Sequence, residues 1–215
     1  SRTKFRYPFS ISGDGVPDLS AIQLRLDLAP VLDALARNDQ KTAAQLTSSL
    51  KSPKAAAIAR NLTQPATPTQ TPAEYQGVSA TVALTSLKPE SAHVGWGRPA
   101  FNRVPDRVPL LECGGQIFAT GIYAHAPAQH TYQLGARWKT LTGKAGLASG
   151  HNGSVEFEIT GDGERLWKSR VIKAGTVVEF DVPLNGIQKV ELLTHPTADG
   201  PGSDWGLWLK PTLSK

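Results

Sequence analysis

Residues 114–134, GGQIFATGIYAHAPAQHTYQL, decide how we interpret the fold of this chain. The glycine pair at 114–115 predicts a turn, and the apolar residues after it predict a short strand. From His130 to Leu134 every second residue is apolar or aromatic, which predicts a second strand. Between them, segment 121–127 holds His125 between two alanines. Small residues beside an imidazole predict close backbone packing, so we expect His125 to be held in place.

The same alternation recurs over the second half of the chain. One face is apolar and the other polar in residues 78–85, 155–160, 178–182 and 190–192. Glycine, proline, asparagine and aspartate separate these runs. Short strands at such spacing predict an antiparallel β-sandwich.

The first 63 residues carry mixed signals. Residues 5–11 alternate and contain Pro8, which suits an edge strand, and a turn follows at 13–15. Residues 22–28 also alternate and favour a second strand, with a helix as the alternative because of their leucines. Three short helical runs follow Pro30, with caps at 38–39 and 52–53. We therefore expect residues 1–63 to form a small α/β appendage containing short helices.

Residues 64–76 contain three prolines among threonine, glutamine and alanine. This composition disfavours a helix or a central strand and predicts an extended linker. We place the domain boundary there, so that residues 77–215 form the β-sandwich module.

Composition limits the functional classes. The chain has 215 residues, 40% hydrophobic and 19% charged, as expected of a globular protein with one medium domain and an appendage. No apolar run approaches the roughly 20 residues of a membrane span. The sequence starts without Met and without a signal peptide, so we interpret it as a mature or trimmed piece, which leaves its destination open.

Charge and cysteine content also argue against some functions. The net charge is +5, but Lys and Arg are scattered and form no nucleic-acid-reading motif, so we expect no nucleic-acid partner. Cys113 is the single cysteine and has no internal disulfide partner. We expect it to serve as a small apolar residue at a strand end.

Four further segments accompany the central stretch: 84–87, and the glycine- and tryptophan-containing segments 95–97, 161–169 and 202–206. In this order and spacing they resemble the NPCBM domain family, which includes the family 51 carbohydrate-binding modules. The resemblance covers about residues 76–213 and implies a β-sandwich of the jelly-roll kind. The chain departs from the family in its closing segment, 199–205, which lacks the usual histidine.

Trp96 is the leading candidate for ligand binding. It stands between two glycines, which predicts a loop at the edge of the sandwich, and Arg98 follows closely. An exposed indole offers a face on which a pyranose ring stacks, and a neighbouring polar group bridges its hydroxyls. The alternative is that Trp96 plugs the end of the sandwich.

Two further segments complete the predicted carbohydrate site. His125 is expected to bind either a sugar hydroxyl or a backbone carbonyl. Asp204 and Trp205 close the domain, and Trp208 lies three residues on, so one of the two indoles is expected to pack inward. Trp167 follows a predicted hairpin turn at 161–163 and is expected to be structural.

The resemblance also implies a cofactor, calcium, because jelly-roll carbohydrate-binding modules often stabilise a loop with a structural calcium ion. Asp106, Asp199 and Asp204 lie in predicted loops that would supply oxygen ligands. The five histidines have no spacing typical of a zinc site, so we expect no transition-metal centre.

We find no nucleophile–base motif and no paired carboxylates in a recognisable context. The sequence therefore predicts a non-catalytic carbohydrate-binding module with a glycan ligand. The resemblance favours galactose-type sugars and a larger exported protein (secreted, periplasmic or cell-surface) whose other domains the module tethers to substrate. The alternative is a structural or protein-interaction sandwich without a sugar site. Exposure of Trp96 is the observation that separates them.

Overall fold

The structure is a computed structural model that describes residues 19–215. The edge strand predicted at 5–11 and the turn at 13–15 lie outside the described residues. Across residues 19–215, no helix is long and apolar enough to cross a membrane.

Three helices open the described part of the chain: α1 (Leu19–Ala36), α2 (Gln40–Ser49) and α3 (Pro53–Thr63). The caps were predicted correctly. Asp39 accepts a hydrogen bond from the Thr42 amide at 3.0 Å, and Ser52 accepts one from the Ala55 amide at 3.3 Å. These bonds satisfy amides that a helix start leaves unpaired.

The strand favoured for residues 22–28 is wrong, because these residues belong to α1. Leu24, Leu28 and Val31 are buried together, whereas Leu26 is 62% exposed. These buried residues are spaced four and three positions apart, as on one face of a helix. In a strand, residues four positions apart also lie on the same side, so the leucine pattern fits both structures. Packing against α2 and α3 favours the helix over the strand, because the apolar residues of all three helices form one buried cluster.

Fourteen strands follow within the described residues. They are β1 (Thr81–Ala83), β2 (Ser91–His93), β3 (Ala100–Phe101), β4 (Leu111–Cys113), β5 (Gln116–Phe118), β6 (Gly121–Tyr123), β7 (Ala128–Gln133), β8 (Thr140–Leu147), β9 (Ser154–Gly161), β10 (Glu164–Lys168), β11 (Ile172–Lys173), β12 (Val177–Pro183), β13 (Lys189–Pro196) and β14 (Gly206–Ser214). The strand predicted over 78–85 is shorter than expected, because a 3₁₀ turn begins at Leu84.

The strands form two six-stranded antiparallel sheets and a small β4–β5 hairpin. One sheet has the order β12-β8-β14-β6-β3, with β1 also paired to β14. The other has the order β10-β9-β13-β7-β2, with β11 also paired to β9. Alternate residues of both sheets meet in one apolar core, among them Ile122, Trp208, Tyr132, Phe157 and Leu192. The predicted antiparallel β-sandwich with N-terminal helices is confirmed.

Residues 114–134 adopt much of the structure that their sequence predicts. Gly114 and Gly115 have positive φ values of 55° and 74° and turn the chain between β4 and β5. His130, Tyr132 and Leu134 are fully buried. Cys113 is buried at the end of β4, as predicted for a small apolar residue.

The helices dock on the sandwich through apolar and polar contacts. Leu110 and Ile117 join the buried cluster of the helices. Arg25 pairs with Glu112 of β4, and the Asn61 side-chain amide donates to the Ala119 carbonyl at 2.8 Å. The helical unit therefore covers the β4–β5 hairpin.

Residues 64–76 contain neither helix nor strand, include a turn at residues 72–74, and run along the sandwich. The Trp138 indole donates to the Pro72 carbonyl at 3.2 Å, and Tyr75 packs on Trp138 with ring centroids 5.8 Å apart. The Ala73 amide donates to the Gln133 carbonyl at 2.9 Å. The segment has no regular secondary structure, and both its role as a linker and the division into domains stay predictions.

Candidate functional site

The loop that joins β2 to β3 presents Trp96 at one end of the sandwich. Its side chain is 53% exposed. Its backbone is anchored: the Gly95 amide donates to the His125 carbonyl at 2.9 Å, and the Tyr123 hydroxyl donates to the Trp96 carbonyl at 3.3 Å. A Cβ atom at Gly95 would lie 2.4 Å from the Ala126 carbonyl oxygen, so only glycine fits there. The indole is thus exposed on a fixed support.

Four other rings gather around Trp96. Trp205 lies 5.1 Å from it and His125 lies 6.3 Å from it, centroid to centroid. Tyr123 packs edge-on against Trp205 at 5.1 Å. His151 stacks on Trp205 at 4.1 Å with 15° between the planes. We refer to Trp96, Tyr123, His125, His151 and Trp205 as the aromatic cluster.

His125 is oriented by its own backbone. Its Nδ1 lies 2.9 Å from the Ala126 carbonyl oxygen, which only accepts, so Nδ1 carries the proton. Nε2 is then the acceptor of the neutral ring. The side chain is 7% exposed and lies in the buried run 121–126, where the sequence predicted close packing around it.

Asp204 holds the closing loop from inside. Its side chain has 0% exposure, its Oδ1 accepts from the Ser154 amide at 3.0 Å, and its carbonyl accepts from the Ala126 amide at 3.0 Å. Burial raises the pKa of this carboxyl, and the Ser154 hydrogen bond opposes that rise. Within the described residues its Oδ2 is buried without a hydrogen-bond partner. Asp204 therefore holds the loop that carries Trp205 from inside, and its contact with a sugar stays a prediction.

The remaining predicted aromatic residues divide as expected between surface and core. Trp208 is fully buried, whereas Trp205 is partly exposed just before β14. Trp167 packs on Phe180 and Trp208 at 5.6 and 6.3 Å after the β9–β10 hairpin. Arg98 is exposed in the loop of Trp96, and no salt bridge involves it in the part of the chain that the structure describes.

Sequence reasoning missed Tyr123 and His151. Tyr123 is fully buried in β6, and burial raises its hydroxyl pKa above the ordinary value. His151 lies in the loop before β9. Its pKa is lowered, chiefly by burial and to a smaller extent by His125, while the charge of Asp106 opposes this shift. Nothing local marks His151, because its ring partner Trp205 is far away along the chain.

The three carboxylates named for calcium are not gathered as one set. Asp199 accepts from the Ser154 hydroxyl at 2.8 Å, and Ser154 also contacts Asp204, so these two aspartates meet at one residue. Asp106 lies in the loop between β3 and β4, where its charge acts on His151. Among residues 19–215 no group of three or more His, Cys, Asp or Glu side chains could hold a metal ion. Oδ2 of Asp204 has no hydrogen-bond partner among the described residues, whereas both carboxylate oxygens of Asp199 accept hydrogen bonds, from Ser154 and Thr197.

A search against family models matches residues 80–214 to the NPCBM/NEW2 domain. Among curated proteins, the chain is 31% identical over 103 residues to a proposed endo-alpha-N-acetylgalactosaminidase of Renibacterium salmoninarum, a match covering 46% of this chain. It is 34% identical over 106 residues to alpha-1,3-galactosidase B of Akkermansia muciniphila, again over 46% of this chain. The matches span only 7% and 13% of the lengths of these relatives.

Solved structures agree on the fold. A family 51 carbohydrate-binding module of a Clostridium perfringens family 95 glycoside hydrolase, solved with methyl-galactose, superposes with a TM-score of 0.57 and 24% identity. That match covers 62% of this chain and 99% of the module. The second family 51 module of C. perfringens ZmpB, solved with GlcNAc, gives a TM-score of 0.56 and 19% identity over 63% of this chain and 31% of that chain. The fold is that of a non-catalytic carbohydrate-binding module.

Proposed function

Because this chain belongs to the NPCBM/NEW2 domain family, we propose that its aromatic cluster binds a glycan and so tethers a larger exported protein to its substrate. The observation that carries the proposal is Trp96, whose indole is 53% exposed while its backbone is fixed on both sides. The exposed part of this indole gains nothing from burial, whereas the rest packs against Trp205 and His125. The exposed part supplies a flat face on which the C–H side of a pyranose stacks.

Two polar side chains suited to sugar hydroxyls are available here: His125, whose ring centroid lies 6.3 Å from that of Trp96, and Arg98, two residues further along the loop. His125 offers Nε2 as an acceptor, because its Nδ1 proton is used by the Ala126 carbonyl. Arg98 offers guanidinium donors from the same loop. The Trp205 ring lies beside Trp96 and forms one side of the candidate site. His151 covers one face of Trp205. An aromatic floor with a few hydrogen bonds at its edge is the usual chemistry of a sugar site.

Galactose-type sugars are the class to test first. The two curated relatives are named for enzymes that act on α-linked galactose or N-acetylgalactosamine, and one structural neighbour was solved with methyl-galactose. One stacking ring and a few hydrogen bonds, each worth about 1 kcal/mol net, predict micromolar to millimolar affinity. Tethering offsets such weak binding by raising the local concentration of an attached domain.

Calcium, in this proposal, is a structural ion. Asp204 and Asp199 would hold it, together with carbonyl oxygens of the surrounding loops, since calcium requires six to eight oxygen ligands. When bound, it would neutralise the buried Asp204 carboxylate and stiffen the loop that carries Trp205.

Isothermal titration calorimetry with methyl-galactoside and N-acetylgalactosamine tests the sugar site in the wild type, Trp96→Ala and Val171→Ala. Val171 is a matched control, because it is another exposed apolar residue, 45% exposed, in the loop before β11. We expect saturable binding by the wild type and by Val171→Ala, and loss of most affinity in a folded Trp96→Ala variant. Equal binding by all three, or none by the wild type, would exclude the proposed site.

The alternative, a structural sandwich without a sugar site, has one observation in its favour. The closing segment lacks the family's histidine, and His151 occupies one face of Trp205. If the wild type binds no galactose-type sugar at millimolar concentration while remaining folded, this alternative becomes the better account.

A further inference from the structure

A cleft of about 580 Å³ lies where the helical unit meets the sandwich. The end of α1 and the start of α2 form one wall, and the loop between β3 and β4 forms the other. Its lining residues are Leu35, Ala36, Asn38, Gln40, Arg103, Asp106, Arg107 and Pro109. Its volume falls within the range of small-ligand sites.

Cationic and hydrogen-bonding groups dominate this lining. Arg103 is held in place, since its guanidinium donates to the Leu62 carbonyl at 3.3 Å. Arg107 is exposed, and throughout residues 19–215 no salt bridge is formed by Arg103, Asp106 or Arg107. The lining contains two arginines and one aspartate, so the cleft carries an excess of positive charge. A guanidinium pairs in a bidentate way with a carboxylate or a similar oxyanion.

The cleft adjoins the aromatic cluster. The loop of Trp96 contacts the loop of the cleft, because a Cβ atom at Gly97 would lie 3.5 Å from Cγ of Pro105. On the other side, Asp106 is near enough to His151 for its charge to act on that ring, and His151 stacks on Trp205. The loop that carries Trp96 is therefore in contact with the loop that carries Arg107, which makes the cleft a neighbour of the aromatic cluster.

We infer that this cleft is a second subsite, which takes the acidic group of a glycan whose neutral sugar lies on Trp96. The inference rests on the proposed function and narrows it: the preferred ligand is a galactose-type glycan bearing a carboxylate or a sulfate. The acidic group pairs with Arg107, while Asp106 accepts hydrogen bonds from nearby hydroxyls. The helical unit thereby forms part of the binding surface of the sandwich.

Three related oligosaccharides separate the contribution of the neutral sugar to the binding affinity from that of the acidic group. They are lactose, 3′-sialyllactose and 3′-sulfolactose. Their dissociation constants are measured by calorimetry for the full chain, for Arg107→Gln and for Arg165→Gln. Arg165 is the matched control, because it is exposed on β10 beside the β9–β10 turn and its loss removes the same charge. Each measurement is repeated at about 0.05 M and about 0.5 M sodium chloride.

The wild type and Arg165→Gln should bind one or both acidic glycans about three- to fivefold more tightly than lactose at low salt, in line with an exposed ion pair. Arg107→Gln should lose that preference and keep its affinity for lactose, and high salt should reduce the preference. Preference for only one acidic glycan identifies the carboxylate or the sulfate as the group recognised.

Two results overturn the inference and leave the proposed function standing: lactose binding through Trp96 with no acidic preference, or an acidic preference that Arg107→Gln retains. Absence of binding to all three glycans overturns the proposed function as well.

Discussion

The imidazole of His151 lies stacked on the indole of Trp205, with 4.1 Å between their centroids and 15° between their planes. This contact joins the loop before β9 to the loop before β14. It leaves Trp205 fixed between His151 and Trp96, which lies 5.1 Å away. The indole is therefore a wall of the candidate site whose orientation depends on a histidine that no sequence motif identifies.

Replacement of His151 should loosen this wall. In His151→Ala, Trp205 loses its stacking partner, and we expect affinity for methyl-galactoside to fall a few-fold, since aromatic pairs contribute about 0.5–1.5 kcal/mol. His151→Phe keeps a stacking ring and should retain most of the affinity. Calorimetry on the three proteins checks this, and equal affinities would show that Trp205 needs no support.

The packing beneath Asp204 predicts a sharp difference between two glycines. A Cβ atom at Gly153 would lie 2.2 Å from Asp204 Oδ1 and 2.6 Å from the Ser203 carbonyl, whereas one at Gly202 would meet nothing within 4 Å. We expect Gly153→Ala to lower the free energy of unfolding by about 1–3 kcal/mol, as overpacking does, and to weaken sugar binding. Gly202→Ala should leave both near the wild-type values. Urea unfolding and calorimetry provide the measurements.

Buried His130 predicts how stability depends on pH. Burial, and secondarily His93, lowers its pKa to about 4, and within the described residues both ring nitrogens are buried without hydrogen-bond partners. The unfolded chain therefore binds more protons between about pH 6.5 and pH 4, so stability falls as the pH falls through that window. The full loss amounts to about 3 kcal/mol.

His130→Leu tests this dependence. The variant removes two buried polar atoms that lack partners, so at about pH 7 it should be at least as stable as the wild type. Urea unfolding at about pH 7 and about pH 4.5 should show a smaller loss of stability in the variant than in the wild type. The same loss in both proteins would assign the pH dependence to other groups.

Cys113 should be unreactive in the folded protein. Burial raises the pKa of its thiol to about 12, and the side chain has 0% exposure. Because the thiolate is the reactive form, a thiol-specific colorimetric reagent at about pH 8 should label the native chain very slowly and the urea-unfolded chain completely. Rapid labelling without denaturant would mean that the end of β4 opens readily.

The calcium proposal is tested by thermal unfolding with calcium or a chelator. If Asp204 ligates the ion, calcium should raise the Tm of the wild type and not that of Asp204→Asn, since a ligand that binds only the folded state stabilises it. Asp106→Asn should respond as the wild type does. Because burial raises the pKa of Asp204, the effect should grow with pH as the carboxyl ionises. If the wild-type Tm is the same with calcium and with a chelator, the proposed calcium site is wrong.

The sequence predicted the sandwich because strands and turns follow short-range rules. Val155, Phe157 and Ile159 alternate with Glu156 and Glu158, and that order alone places one set in the core. The β9–β10 hairpin was predicted from its Gly-Asp-Gly turn, where Asp162 and Gly163 adopt positive φ values of 51° and 90°. The helix caps at Asp39 and Ser52 are equally local.

Two features could not be predicted in this way. Residues 22–28 fit a strand by their alternation, and only the helical face shared by Leu24, Leu28 and Val31 against α2 and α3 makes them a helix. The sequence also could not show that the Asp204 side chain is buried, with its Oδ1 accepting from the Ser154 amide at the start of β9. Both outcomes depend on which other segment packs against the residue in question.

The sequence by itself thus determined the strands, the turns, the helix caps and the loop position of Trp96, because each follows from residues a few places apart. Only the tertiary structure decided that Trp96, His125, His151 and Trp205 belong to one aromatic cluster and that Arg107 lines a cleft whose loop contacts the loop of Trp96. The physical reason is that the pairing of β14 with β6 and β8 brings distant loops to one end of the sandwich. Contacts between those loops depend on the register and packing of the whole fold, which no single segment encodes.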